Sequence, residues 1–165
     1  MKFITTMLLA ILVSQVSGQE VQGTYRDYFG YSVKFNSDST FMYEWNFDLV
    51  HSWSTGKWTI SDKIIHLEFI EIYDTLRRNS KPDSLVLSID SKSSIIDEKE
   101  YISGFLIGGG QTNNGFCNRL KVKHKKLYVV KEDGHIERKR IKGIWSKKRF
   151  LLGYKKWPTY YKKIE

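Results

Sequence analysis

Residues 31–69 read YSVKFNSDSTFMYEWNFDLVHSWSTGKWTISDKIIHLEF, which is the most regularly patterned part of the chain. Apolar and polar residues alternate from Tyr31 to Phe35, and the polar cluster at 36–39 interrupts the pattern before it resumes from Phe41 to Phe47. Alternation with a period of two on both sides of a polar turn is typical of antiparallel strands with one wet face. The stretch therefore predicts strands at 31–35, 40–48, 52–60 and 64–73.

The rest of the chain continues this pattern in shorter runs, which predict strands at 25–28, 85–90, 101–107, 120–123, 127–130, 136–145, 149–154 and 160–164. The polar segment 74–83 contains Pro82 and is predicted to be a loop or one short helical turn, and Glu132-Asp133-Gly134 is predicted to be a hairpin turn. No segment sustains an apolar repeat of 3.6 residues, so long helices are not expected. About ten strands exceed the usual size of one open sheet. We expect an all-β fold in which an antiparallel meander closes into a barrel, with a two-layer β-sandwich as the alternative.

Residues 1–18 have the features of a targeting segment. Lys2 precedes an apolar run from Phe3 to Val13, and Val16 and Gly18 are small residues just before Gln19. The pattern is typical of a secretory signal peptide, and the run is shorter than the roughly 20 residues of a membrane-spanning helix. We expect cleavage after Gly18, which leaves 19–165 as a single β domain in a secreted or periplasmic protein, with no transmembrane segment in the mature chain. An uncleaved anchor is the alternative.

Cysteine and aromatic content indicate how the core is stabilised. Cys117 is the one cysteine, so a disulfide within the chain is excluded. The core is expected to depend on aromatic side chains, of which the chain has 5 Trp, 10 Tyr and 9 Phe. For Cys117 we favour a buried structural thiol over a reactive one, because nothing near it in sequence indicates a thiolate site.

Basic residues concentrate in the C-terminal part of the chain. Residues 119–165 hold 17 Lys and Arg against 4 Asp and Glu, whereas residues 1–118 hold 10 against 14. The two balances, +13 and −4, add up to the net charge of +9. An asymmetry of this kind favours a polyanion or a membrane surface as partner. The alternative is that the lysines form the solvated side of a strand and discourage aggregation at sheet edges.

Aromatic and basic residues interleave near the C-terminus, a mixture that combines stacking with charge. The candidate anion-binding residues are Lys147, Lys148, Arg149, Lys155 and Lys156. For an exported chain, lipopolysaccharide, anionic lipid headgroups or acidic polysaccharide are more natural partners than nucleic acid. Alternatively, the rings belong to the core and the lysine stems cover them.

Motifs for catalysis and metal binding are missing from the sequence. The histidines show neither H-x-H nor H-E-x-x-H spacing, and no second cysteine is present. The glycines at 108–110 do not continue into a phosphate-binding loop, and no G-x-S-x-G nucleophile motif occurs. We therefore expect no enzyme, no catalytic residues, no metal and no cofactor.

Short motifs in the first half resemble those of lipocalin-like barrels. Gly23-Thr24-Tyr25 is similar to the G-x-W that opens the first strand of that family, with Tyr25 in place of tryptophan. Asp38-Ser39-Thr40-Phe41, Gly56-Lys57-Trp58 and Leu67-Glu68-Phe69 extend the resemblance over residues 23–69. The resemblance implies a non-enzymatic protein whose aromatic interior holds a small apolar or amphipathic ligand. The ligand-binding residues expected on this basis are Tyr43, Trp45, Trp53 and Trp58.

A second resemblance concerns the other half of the chain. Ser84 to Asp90, followed by Thr112-Asn113-Asn114-Gly115-Phe116, is similar to the strand and turn of carboxypeptidase-regulatory-like sandwiches. Cys117 and Asn118 depart from the apolar alternation of that pattern, so it ranks second. The alternative function is an interaction protein that uses a basic C-terminal surface on anionic envelope lipid, polysaccharide or a protein partner.

Overall fold

The computed structural model describes residues 20–79, 81–106, 109–143, 146–149 and 153–164, with only the backbone of Phe105 and Arg149. The predicted signal peptide at 1–18 lies outside these residues. Within them, no helix has both the length and the apolar character needed to cross a bilayer.

Strands dominate the described part of the chain. In chain order the elements are β1 (Gly23–Arg26), β2 (Tyr31–Phe35), β3 (Thr40–Phe47), β4 (Val50–Ser61), β5 (Ile64–Ile70), β6 (Tyr73–Arg78), β7 (Lys81–Leu87), β8 (Ile95–Asp97), α1 (Glu98–Leu106), β9 (Gly110–Gln111), β10 (Arg119–Lys123), β11 (Lys126–Val129), β12 (Arg140–Lys142), β13 (Lys148–Arg149), β14 (Gly153–Tyr154), β15 (Lys156–Pro158) and β16 (Tyr161–Lys163). The four strands predicted within residues 31–69 correspond to β2, β3, β4 and β5, so that prediction is confirmed.

Eight of the strands close into an antiparallel barrel. Hydrogen bonding runs around the ring in the order β1-β2-β3-β4-β5-β10-β11-β16, and β16 pairs with β1 to complete it. Every pair in the ring is antiparallel. Because the ring follows chain order, the predicted meander is confirmed, and its closure excludes the two-layer sandwich.

Side chains alternate between the two faces of each strand, and those on the inward face fill the barrel interior. In β3, Phe41 and Tyr43 are fully buried, whereas Met42 and Glu44, the residues that follow each of them, are partly exposed. The buried core consists of Val21, Tyr25, Val33, Phe35, Phe41, Tyr43, Trp58, Ile65, Leu67, Leu120, Leu127 and Tyr161. Burying one large apolar side chain contributes about 1.5–3 kcal/mol, so this cluster is the main source of stability.

A small polar cluster lies inside this core. The Tyr43 hydroxyl contacts the Tyr161 hydroxyl and lies 3.4 Å from Cys117 Sγ. Burial raises the pKa of Cys117 to about 11 and holds the pKa of both phenols well above their usual range. The thiol and the phenols are therefore neutral near pH 7, in agreement with a structural role for Cys117.

The first insertion, residues 71–118, connects β5 to β10. It contains a three-stranded sheet in the order β7-β6-β8, together with α1 and β9, and β9 pairs in parallel with β4. The buried carboxylate of Asp74 accepts hydrogen bonds from the backbone N–H groups of Ile89 and Ser94 at 3.1 and 2.9 Å. These bonds hold the loop after β7 against β6.

Two predictions within the first insertion are wrong. Residues 74–78 belong to β6 and residues 81–83 begin β7, so the segment is not the predicted loop or helical turn, and Pro82 is tolerated because β7 is an edge strand. Residues 101–107 were predicted to be a strand, but α1 covers most of them. Asp97 accepts a bond from the Glu100 N–H at 2.8 Å, and the Glu100 carboxylate accepts one from the Asp97 N–H at 3.1 Å. This reciprocal capping box starts the helix.

The second insertion, residues 130–160, connects β11 to β16. The predicted turn at 132–134 is present, because the bridge between Val130 and Ile136 closes a hairpin around it. Beyond this turn, β12 pairs with β15, and β13 pairs with β14. The insertion returns to the barrel at β16, so both of its ends are fixed to the ring.

Candidate anion-binding cleft

The second insertion is anchored to the barrel by stacked rings. Trp157 lies parallel to Tyr28, with ring centres 3.8 Å apart and an angle of 11° between the planes. The Lys155 ammonium lies 3.9 Å from the centre of the Trp157 ring. Gly143 makes room for this arrangement, since a Cβ there would lie only 2.8 Å from Tyr28 Cε1.

Tyr28 is presented by a tight turn that follows β1. Asp27 Oδ1 accepts hydrogen bonds from the backbone N–H groups of Phe29 and Tyr31, at 2.8 and 2.9 Å. Burial raises the pKa of Asp27 to about 6, although these same hydrogen bonds act in the opposite direction. The Asp27 carboxyl group therefore fixes the turn through its hydrogen bonds, and its ionisation in the folded protein costs free energy.

The Asp27 turn leads to a pH prediction. The folded pKa lies above the unfolded value of 3.8, so Asp27 favours the folded state below pH 4, and this contribution is lost as the pH rises to about 6. Asp27→Asn keeps the Oδ1 acceptor for both N–H groups and removes the charge. We expect it to raise the free energy of unfolding at pH 7.5 by about 1 kcal/mol, because the partly solvated carboxylate no longer has to be ionised in the fold. Urea titrations at this pH would measure the difference.

Comparison of the two proteins at pH 4 provides the control for this prediction. There the carboxyl is largely protonated in the folded protein, so the variant and the parent should unfold at similar urea concentrations. A variant less stable than the parent at pH 7.5 would show that the charge stabilises the turn.

A cavity of about 520 Å³ lies between the β10–β11 hairpin and the second insertion. We call this cavity the basic cleft, and it is lined by Lys123, Tyr128, Ile136, Glu137, Arg138, Lys139, Arg140, Pro158, Thr159 and Tyr160. An adjoining cavity of about 690 Å³ shares Lys123, Ile136 and Arg138 with it, and its other charged or titratable lining residues are Glu20, Asp62, Lys63, Lys121 and His124. Both volumes are in the range of small-molecule sites, roughly 300–1,000 Å³.

Positive charge in the basic cleft is not balanced by carboxylates. Glu137 is the one acidic residue among its lining residues, against Lys123, Arg138, Lys139 and Arg140. The ion pairs of the described residues lie elsewhere: two are in the first insertion, and the third joins His135 to Asp133. A concave surface with charge of one sign concentrates the electrostatic potential and attracts anions.

Apolar groups complete the cleft. The rings of Tyr128 and Tyr160 have their centres 5.4 Å apart, and the Lys126 ammonium lies 4.6 Å above the Tyr160 ring. Ile136 and Pro158 add aliphatic surface. The combination suits a ligand with an anionic group and an apolar or sugar-like body.

The anion-binding residues predicted from sequence belong to the same insertion, and the four of them whose side chains are described do not line the cleft. Lys147, Lys148, Lys155 and Lys156 are exposed, and Lys156 pairs across the sheet with Lys142. Of Arg149 only the backbone, in β13, is described. Anion binding by these five residues stays a prediction. The cleft residues were missed because 136–140 and 158–160 are brought together by the fold and not by sequence spacing.

Three of the four predicted ligand-binding residues face the barrel interior. Tyr43 and Trp58 belong to the buried core, and the Trp45 indole N–H donates to the Phe29 carbonyl at 3.0 Å. Trp58 Nε1 is buried without an acceptor among the described residues, so a bound acceptor would satisfy it. These residues line neither the basic cleft, nor the adjoining cavity, nor a third cavity of about 510 Å³ near Trp53. Their ligand-binding role stays a prediction.

Trp53 lies on the opposite face of β4. It pairs with the outward-facing Glu44, is covered by the first insertion, and donates its indole N–H to the Ile89 carbonyl at 3.4 Å. The third cavity, of about 510 Å³, lies near it, lined partly by Ser52, Ile89 and Gln111. The sequence contained the signal for this placement, because positions 53 and 58 differ by an odd number and must face opposite ways in one strand.

Metal ligands are not grouped in the described residues, where no set of three or more His, Cys, Asp or Glu could hold a metal ion. Comparisons with protein-family models, curated proteins and solved structures find no match. The geometry of the barrel and the basic cleft is therefore the basis for a functional proposal.

Proposed function

We propose that this chain is an exported, non-enzymatic binding protein that takes an anionic, amphipathic ligand in the basic cleft. One observation carries the proposal: a cavity of about 520 Å³ is lined by four cationic side chains, one carboxylate and an apolar surface. Unpaired cations beside aromatic rings provide both of the interactions such a ligand needs. Export is inferred from the signal-like segment at 1–18.

A lipocalin-like scaffold is part of the same proposal. Its support is an eight-stranded antiparallel barrel whose strands follow chain order, beginning with the Gly23-Thr24-Tyr25 motif in β1. Tyr25 is buried, at 1% exposure, where the resemblance expects an inward-facing ring. The core side chains fill the interior around this residue, and we therefore place the ligand in the outer cleft.

The anionic class of ligand follows from the charges of the cleft. Arg138 and Arg140 are guanidinium donors, which bind carboxylate, sulfate or phosphate groups in a two-pronged geometry. Neither forms an ion pair with a described carboxylate. A neutral ligand would leave these charges uncompensated in the complex, which would weaken its binding.

The test compares two double variants with equal changes in net charge, using heparin as the probe. Arg138→Gln/Arg140→Gln removes two charges from the cleft, and Lys92→Gln/Lys99→Gln removes two from the first insertion. We expect the cleft variant to bind immobilised heparin at least about tenfold more weakly, because a tenfold loss needs only about 1.4 kcal/mol and each screened charge contact in an open cleft contributes up to about 1 kcal/mol. The control should change less than about twofold.

Equal losses in both variants would mean that heparin responds to net charge alone. Failure of the unaltered protein to bind heparin at low salt would contradict the proposal directly. Thermal unfolding of each variant verifies that binding is compared between folded proteins.

A further inference from the structure

Four basic residues form a continuous row around the outside of the barrel. Lys123 of β10 pairs with Lys126 of β11, which pairs with Lys162 of β16, which in turn pairs with Arg26 of β1. Each lies next in sequence to an inward-facing residue and so points outward. We call these four residues the cationic row.

The cationic row is unfavourable for the isolated protein. Like charges at directly opposite positions of antiparallel strands destabilise a sheet, and here three such pairs are consecutive. None of the four side chains forms an ion pair with a described carboxylate. A bound polyanion would convert this repulsion into attraction.

The curvature of the barrel limits the shape of the partner. Eight strands complete one turn around the barrel axis, so the outward-facing direction rotates by about 45° from each strand to the next. The side chains at the two ends of the cationic row therefore point in directions about 135° apart. A flat bilayer cannot touch Lys123 and Arg26 at the same time. A flexible linear chain can follow the row, whose backbone path is about 14 Å at a strand spacing of about 4.8 Å.

Aromatic contacts near the cationic row do not favour nucleic acid. Single-stranded nucleic acid binds by stacking its bases on free aromatic faces. Among the described residues, Tyr160 is covered by Lys126, Tyr154 by Lys142, and Trp157 by both Tyr28 and Lys155, so Tyr128 is the cleft ring without a cation above it. A charged polysaccharide needs no such stacking platform.

The cationic row begins in the basic cleft, because Lys123 lines the cleft and Lys126 covers the cleft residue Tyr160. We propose that the natural ligand is a linear acidic polysaccharide, with one unit in the basic cleft and the following anionic units along the cationic row. This inference rests on the proposed function, since it extends the same site. It adds that binding grows stronger with chain length.

The experiment measures the affinity of heparin fragments by titration calorimetry. The fragments are a disaccharide, which is too short to reach the far half of the cationic row from the cleft, and a dodecasaccharide, which is long enough to follow the whole row. Arg26→Gln/Lys162→Gln neutralises the far half of the row, and the control is Lys92→Gln/Lys99→Gln. We expect the row variant to lose about tenfold in dodecasaccharide affinity at low salt and less than twofold in disaccharide affinity.

The outcomes separate this inference from the proposed function. If Arg138→Gln/Arg140→Gln weakens both fragments but the row variant weakens neither, the cleft binds anions and the extended path is wrong. If neither variant weakens either fragment, both proposals fail. Tighter binding of oligothymidylate than of the dodecasaccharide would assign the cationic row to nucleic acid. If the row variant lost as much affinity for anionic phosphatidylglycerol vesicles as for the dodecasaccharide, the row would be assigned to a lipid surface.

A second readout does not depend on any ligand. Because the row variant removes like-charge pairs, its midpoint of thermal unfolding should rise by about 1–3 °C at low salt, and added salt should reduce the difference. A lower midpoint than that of the parent protein would contradict the repulsion on which the inference depends.

Discussion

Gly56→Ala is expected to lower the free energy of unfolding by about 3 kcal/mol, which corresponds to a fall of roughly 10 °C in the midpoint of thermal unfolding. A Cβ at this position would lie 1.9 Å from the Glu68 carbonyl oxygen and 3.0 Å from Phe41 Cε1. The first contact is with the backbone of β5, which cannot move unless its pairing with β4 is disrupted. In an ordinary strand, the same substitution would be neutral or stabilising.

Gly109→Ala is the matched control. Among the described residues, a Cβ there would approach other atoms no closer than 3.6 Å, which is an ordinary contact. We expect its unfolding free energy to lie within about 0.5 kcal/mol of the parent value. Urea titrations followed by tryptophan fluorescence would measure both variants. If Gly56→Ala were as stable as Gly109→Ala, close packing of β4 on β5 would not limit the barrel.

The register of the barrel explains why Gly56 is needed. At this point β4 pairs with β3 through Phe41 and with β5 through Phe69. Both aromatic rings turn toward the interior and contact each other at 5.4 Å between centres. A side chain at position 56 would compete with these two rings for the same space. Glycine leaves that space to the rings and lets β4 pass close to both neighbouring strands.

Alternation predicted β2 to β5 because each strand is followed by its hydrogen-bonding neighbour, so a local pattern contains the relevant information. The pattern was less useful in the first insertion. The apolar residues after Asp97 suit a strand or a helix, and the side-chain bonds that cap α1 decide between the two. In the same insertion, Pro82 indicates an edge strand as well as a loop.

Neither the basic cleft nor the cationic row could be predicted from the sequence. Arg26 and Lys162 are far apart in the chain and become neighbours only because β16 closes the ring against β1. The excess of basic residues after position 118 was visible, but charge alone has no geometry. Strand register is what turns dispersed lysines into a continuous surface.

Trp157→Ala should have the largest effect on ligand binding without unfolding the barrel. The ring contacts Tyr28 and Lys155, and neither residue belongs to the buried core. Its loss should free β12 and β15, and with them one wall of the basic cleft, because Arg140 and Pro158 are paired in that sheet. We expect heparin affinity to fall more than about tenfold, because the stacked pair and the cation–π contact that hold this wall together contribute about 1–3 kcal/mol.

Hydrogen exchange distinguishes release of the second insertion from global unfolding. In Trp157→Ala, amides of β12 and β15 should lose protection, while those of β3 and β4 keep it. Trp157→Phe is the control, because a phenyl ring can still stack on Tyr28 and should retain most of the affinity. Loss of protection in β3 and β4 as well would show that the stacked rings stabilise the barrel itself. Unchanged heparin affinity, despite exposed amides in β12 and β15, would place the anion site away from the cleft wall that this sheet forms.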